Sequence, residues 1–72
     1  MDGRDSFTAT EVGQIRKLLR EKARADRSGQ KIIRSQLRKL GFYISDFALN
    51  WSSFRTADFN DLLNSGRVKV IE

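Results

Sequence analysis

Phe7-Thr8-Ala9-Thr10-Glu11-Val12 is the stretch whose reading decides the fold. With Thr8 as N-cap, its hydroxyl accepts the N–H of Glu11, and the Glu11 carboxylate reaches back to the N–H of Thr8. These reciprocal bonds make a capping box. Phe7 and Val12 flank it where a hydrophobic staple joins the residue before the cap to the fourth helical position. Downstream, Val12, Ile15, Leu18, Leu19 and Ala23 recur at helical spacing and mark the apolar stripe of a first helix.

The stripe fades at Asp26-Arg27-Ser28-Gly29. Glycine lowers helix propensity there, and Asp or Ser can cap a new start. Ile33, Leu37 and Leu40 resume the stripe with Ile32 beside it, and Gly41 is placed to end a second helix. Positions 15, 19, 23, 26, 30, 33, 37 and 40 also fit one long helix in a single phase. Asp26 and Gln30 break the apolar face at its centre, however, which favours a helical hairpin.

Beyond Gly41 the composition changes, and six of the seven aromatic residues fall between Phe42 and Phe59. Tyr43, Phe47, Trp51 and Phe54 would share one face of a helix. Ser45 is placed to cap such a helix near Asp46, with Asn50-Trp51-Ser52-Ser53 ending it. Thr56 then caps another, with Asp58 and Asp61 near its N-terminus, Phe59, Leu62 and Leu63 on its inner side, and Asn64-Ser65-Gly66 terminating it. Val68-Lys69-Val70-Ile71 alternates as a short strand, for which Phe42-Tyr43-Ile44 offers a partner. The expected fold is therefore mainly α. It is a small helical domain, a helical hairpin plus two shorter helices, with a short C-terminal β-strand element. Residues 1–72 form a single domain, with 1–6 as a disordered tail. A helix-turn-helix is a further possibility, with Ile33 to Leu40 as first helix, Gly41 in the turn and Asp46 to Asn50 opening the second. That second helix would be aromatic and nearly uncharged, which suits burial better than reading a major groove.

Composition narrows the function. Of 72 residues, 39% are hydrophobic, sufficient for one small core and too little for two layers around a deep substrate cavity. Cys 0 and His 0 exclude thiolate chemistry, imidazole catalysis and His-ligated zinc. No glycine-rich phosphate loop is present, and no serine stands beside an obvious base. Asp46, Asp58 and Asp61 could in principle approach a divalent metal, but helix N-termini explain such acids more simply. The chain thus reads as no enzyme, with no cofactor and no small-molecule substrate. No apolar run exceeds three residues, and Met1-Asp2-Gly3-Arg4-Asp5 lacks the apolar region of a signal peptide. These features exclude a membrane partner and make a cytoplasmic location the expectation.

Charge is the most informative pattern. The formal net charge is +5, but residues 16–39 hold ten bases and two acids, a local net of +8. Arg16, Arg20, Arg24, Arg27, Lys31, Arg34 and Arg38 are spaced to share a face within each helix, offset from the apolar stripe. Like charges at this spacing destabilise a helix by roughly 0.2–0.5 kcal/mol per pair, and a polyanionic partner would relieve that cost. Arginine outnumbers lysine in the segment, and guanidinium suits bidentate phosphate recognition. The expected function is nucleic-acid binding through these seven bases. The competing readings are a solvated basic face and a module that meets an acidic protein. The aromatic residues are assigned to the core, with Trp51 or Tyr43, which carry polar atoms, reaching the surface.

The run Leu40-Gly41-Phe42-Tyr43-Ile44-Ser45-Asp46-Phe47, followed by Thr56 to Phe59 and Asn64-Ser65-Gly66-Arg67-Val68, resembles small bacterial proteins of similar length and unknown function. The resemblance covers most of the chain and implies no activity or site residue.

Overall fold

Residues 3–47 and 49–71 are described by a computed structural model. Helix α1 (Ala9–Lys22) begins at the capping box: Glu11 N–H donates to Thr8 Oγ1 at 3.1 Å, and Thr8 N–H to Glu11 Oε1 at 2.9 Å. The Arg4 guanidinium lies on the same carboxylate, 3.1 Å from each oxygen. Arg4 and the Thr8 backbone together hold the Glu11 carboxyl below its ordinary pKa. Helix α2 (Arg27–Lys39) starts where Asp26, in an extended conformation, accepts the Gly29 N–H at 2.8 Å. The extended backbone at Asp26 rules out a continuous helix, so the hairpin reading holds.

Gly41 closes α2 with a positive φ of 92°. Its N–H donates to the Arg38 carbonyl and the Phe42 N–H to the Leu37 carbonyl, both at 2.9 Å. This is a Schellman ending, which needs a residue without a Cβ penalty in the left-handed region.

The segment after Gly41 departs from expectation. In place of an α-helix through Trp51, two short 3-10 turns form, at Ile44–Phe47 and Trp51–Ser53. The Asn50 Oδ1 accepts both the Ser52 N–H at 3.0 Å and the Ser52 hydroxyl at 2.9 Å. This side-chain bond offers the backbone an alternative to the helical ladder. The stretch required as a second helix by a helix-turn-helix thus contains a 3-10 turn that ends at Phe47. Helix α3 (Thr56–Asn64) follows, capped one residue earlier than expected: Arg55 N–H donates to Asp58 Oδ2 at 2.8 Å, and Thr56 is the first helical residue. Gly66, at φ 80°, follows its end.

A further correction concerns the strand pairing. Strand β2 (Lys69–Val70) pairs in parallel with β1 (Ser6–Phe7), not with Phe42-Tyr43-Ile44. The backbone near Phe42 is already engaged, by the Schellman ending and by the Asp46 N–H to the Tyr43 carbonyl. At the N-terminus, residues 3–6 of the stretch expected as a tail are bonded to the rest of the fold. Gly3 N–H donates to Asp46 Oδ2 at 2.9 Å, Arg4 N–H to the Gly41 carbonyl at 2.7 Å, and the Asp5 carbonyl accepts from Lys69. Met1 and Asp2 lie outside the described residues.

All these elements except β2 and the second 3-10 turn send buried side chains into one core. Phe42 is its hub. The rings of Phe7, Phe47, Phe54 and Phe59 stand 5.4–5.9 Å from it, those of Phe7 and Phe59 edge-on. Helix α1 packs against both α2 and α3, and Ile44, Phe47 and Phe54 from the irregular stretch beyond Gly41 join the same core.

Candidate nucleic-acid interface

The seven predicted bases do not remain one face. Arg16 is drawn toward α3, where its Nη2 donates to Asn60 Oδ1 at 3.1 Å, while its Nε is buried with no partner among the described residues. A guanidinium committed to an interhelix contact is poorly placed to serve phosphate. Arg20 and Arg24, one and two turns further along, are exposed and line a cleft at the C-terminal end of α1. On α2, Arg34 sits with its guanidinium carbon 5.9 Å from the Trp51 ring centroid, and Arg38 lies 5.4 Å from that of Tyr43. Arg27 and Lys31 are exposed on the first turns of α2.

These positions connect into one surface. Gln30 lines the α1 cleft, and Arg34 and Arg38 follow it at successive i+4 steps along the same side of α2. Trp51, half-buried, bridges the two helices, because Lys22 of α1 lies 4.7 Å from its ring on one account and Arg34 of α2 near it on the other. Tyr43 is likewise half-buried. The expectation that these two aromatics reach the surface holds, as do core positions for Phe47 and Phe54.

Lys22 was not among the predicted site residues. The stripe of α1 was expected to close on Ala23, but Ala23 is exposed and Lys22 is buried, with 6% of its surface accessible. The spacing carried this signal, since Val12, Ile15, Leu19 and Lys22 recur at steps of three, four and three. A lysine stem completes the stripe because its methylenes pack while its ammonium finds polar company. Here Nζ donates to the Phe54 carbonyl at 2.9 Å. Burial, aided by the Arg55 charge and opposed by Asp58, lowers the Lys22 pKa from its ordinary value.

Arg55, the N-cap of α3, lines the same cleft as Arg20, Lys22 and Arg24. Its position next to them depends on α3 folding back on α1 and had no local sign in the sequence. Among the described residues, Arg4–Glu11 is the one side-chain ion pair, so none of the bases around the cleft and Trp51 has a carboxylate within 4 Å. Asp46 and Asp58, weighed earlier as metal ligands, are committed to the backbone N–H groups of Gly3 and Arg55. No helix of the described residues is long and apolar enough to cross a membrane. Comparison with known protein families, curated proteins and solved structures gives no match to this chain.

Proposed function

We propose that the protein binds nucleic acid, with Arg20, Arg24, Arg34 and Arg38 meeting backbone phosphates and Trp51 and Tyr43 presenting ring faces to bases. One observation carries the reading: Arg34 and Arg38, exposed on α2, lie against the half-buried rings of Trp51 and Tyr43, and among the described residues neither has a carboxylate within ion-pair distance. Guanidinium groups left without carboxylates keep their donors for phosphate oxygens. Aromatic rings interleaved with them are what unstacked bases require, so single strands are the preferred form. Arg27 and Lys31 extend the positive field along α2, and Arg16 contributes charge but no contact. Phosphate-directed arginines give affinity without sequence preference.

The test is a salt-dependent titration, by fluorescence anisotropy, of labelled single-stranded DNA, duplex DNA and heparin. Three to five phosphate contacts give a slope of log K against log salt of roughly −3 to −4.5 on duplex, and about three-quarters of that on single strands. Arg34→Gln with Arg38→Gln should flatten the slope by up to about two units while weakening all sequences equally. Single strands should also quench Trp51 fluorescence. Absence of binding at low salt, or unchanged affinity in the folded double variant, would overturn the proposal. Heparin binding without nucleic-acid binding would point to an acidic protein partner.

A further inference from the structure

The cleft at the end of α1 has a chemistry of its own. Its volume is about 640 Å³, within the range of small-ligand sites and larger than a bare phosphate needs. Its lining includes Arg20, Lys22, Arg24 and Arg55 and, among the described residues, no acidic one. Apolar walls from Leu19, Ala23 and Phe54 thin the water around these charges, which strengthens electrostatic attraction inside. The Lys22 ammonium spends one of its three donors on the Phe54 carbonyl and has no carboxylate within ion-pair distance among the described residues. A buried cation without a counter-charge is costly unless something anionic completes its surroundings. Thr56 and Ala57, the first two residues of α3, also border the cleft. Their N–H groups precede the first intrahelical bonds and add partial positive charge. Asp58, whose charge acts on Lys22, accepts the Arg55 N–H and is not part of the lining.

We infer that this cleft is a phosphate pocket, a discrete seat for one tetrahedral phosphate group, with Lys22 Nζ as its floor and Arg20, Arg24 and Arg55 as its walls. The space beyond the phosphate accommodates the sugar that carries it. The nucleic-acid reading supplies the source of that phosphate, a strand terminus or its backbone. The pocket itself rests on the cleft's own geometry and can be tested without any strand.

The experiment is a titration of the ¹⁵N-labelled protein with inorganic phosphate at constant ionic strength, with chloride as control, followed by amide chemical shifts. The expected result is a saturable shift at Thr56 and Ala57 that chloride does not produce. Lys22→Met should weaken phosphate by about tenfold or more, the range for a lost charge-assisted hydrogen bond. Arg55→Gln, exposed and outside the core, should weaken it by about threefold or more, and it decides the matter if Lys22→Met does not fold. Shifts equal to those in chloride, or affinity unchanged in folded Arg55→Gln, would overturn the pocket. A second arm compares 5′-phosphorylated with 5′-hydroxyl oligonucleotides. Tighter binding of the phosphorylated strand, reversed by phosphate, assigns the pocket to a strand terminus. Equal binding that phosphate still reverses assigns it to backbone phosphate. Strands that bind while inorganic phosphate shifts nothing would overturn the pocket and leave the nucleic-acid reading standing. Saturable phosphate binding with no strand binding would support the pocket and overturn that reading.

Discussion

Phe42→Leu tests whether the fold is organised around one ring. Phe42 is 1% exposed and has four phenylalanine neighbours. Leucine keeps most of the apolar burial and removes the aromatic geometry, so the loss isolates ring–ring contacts from simple hydrophobicity. The two edge-on contacts, to Phe7 at 5.9 Å and Phe59 at 5.4 Å, are the arrangements that ring quadrupoles favour. At about 0.5–1.5 kcal/mol per pair beyond burial, they predict a loss of about 1–3 kcal/mol. A domain this small holds only about 3–5 kcal/mol in total. With a urea m-value of about 1 kcal/mol/M, the midpoint should fall by about 1–3 M. Urea unfolding followed by Trp51 fluorescence and far-ultraviolet circular dichroism measures it. Ile33→Val, a core change of about 0.5–1.5 kcal/mol with no ring involved, is the control. Because Phe42 packs against Phe47 and Phe54, which flank Trp51 in the chain, native Trp51 emission should shift in Phe42→Leu and stay unchanged in Ile33→Val. A midpoint change smaller than that of the control would refute the hub.

Five other substitutions probe separate parts of the molecule. Gly13 lies exposed in α1 with nothing within 4 Å of an added Cβ. Gly13→Ala should therefore stabilise by about 0.5–1 kcal/mol, whereas Gly41→Ala, at positive φ, should destabilise by about 1 kcal/mol or more in the same urea melts. Thr8→Ala should cost about 0.5–2 kcal/mol. The Glu11 carboxylate titrates below its ordinary value, so its contribution is present above about pH 4.3 and lost as pH falls through the lowered folded value. Acid unfolding of Glu11→Gln, lacking that component, would reveal it, and superimposable acid profiles would refute it. Lys22 has a lowered folded pKa, so the unfolded chain holds its proton to higher pH. Wild-type stability relative to Lys22→Met should then rise with pH from the folded value to the ordinary value of about 10.4. A stability difference constant between pH 7 and 10 would contradict this.

Much was legible locally because the interactions concerned are local. The capping box of Thr8 and Glu11, the Asp26 cap of α2 and the left-handed ending at Gly41 each involve residues within a few positions of one another. Residue type and spacing therefore suffice to place them. The inner stripes of α1 and α2 were legible for the same reason, save at Lys22, where a charged residue type concealed an inward position that spacing supported. Periodicity misled in the 44–54 segment. The spacing of Tyr43, Phe47, Trp51 and Phe54 matches a helix, but Phe47 and Phe54 pack on the Phe42 ring, and Asn50 turns the backbone at Ser52.

Net charge, the confinement of ten bases to residues 16–39 and the lack of Cys and His are properties of the sequence alone, readable before any fold is known. Contacts between distant positions were decided by the tertiary structure. Ser6–Phe7 pairs with Lys69–Val70 across nearly the whole chain, and two-residue strands carry too little pattern to announce a partner. Arg16 leaves the basic face because Asn60, 44 positions away, accepts its guanidinium. Arg55 joins Arg20, Lys22 and Arg24 because α3 packs back onto α1. Sequence spacing orders charges along one helix. Their arrangement across helices follows from how the core packs, since burying Phe7, Phe42, Phe54 and Phe59 together determines which surfaces are left to meet.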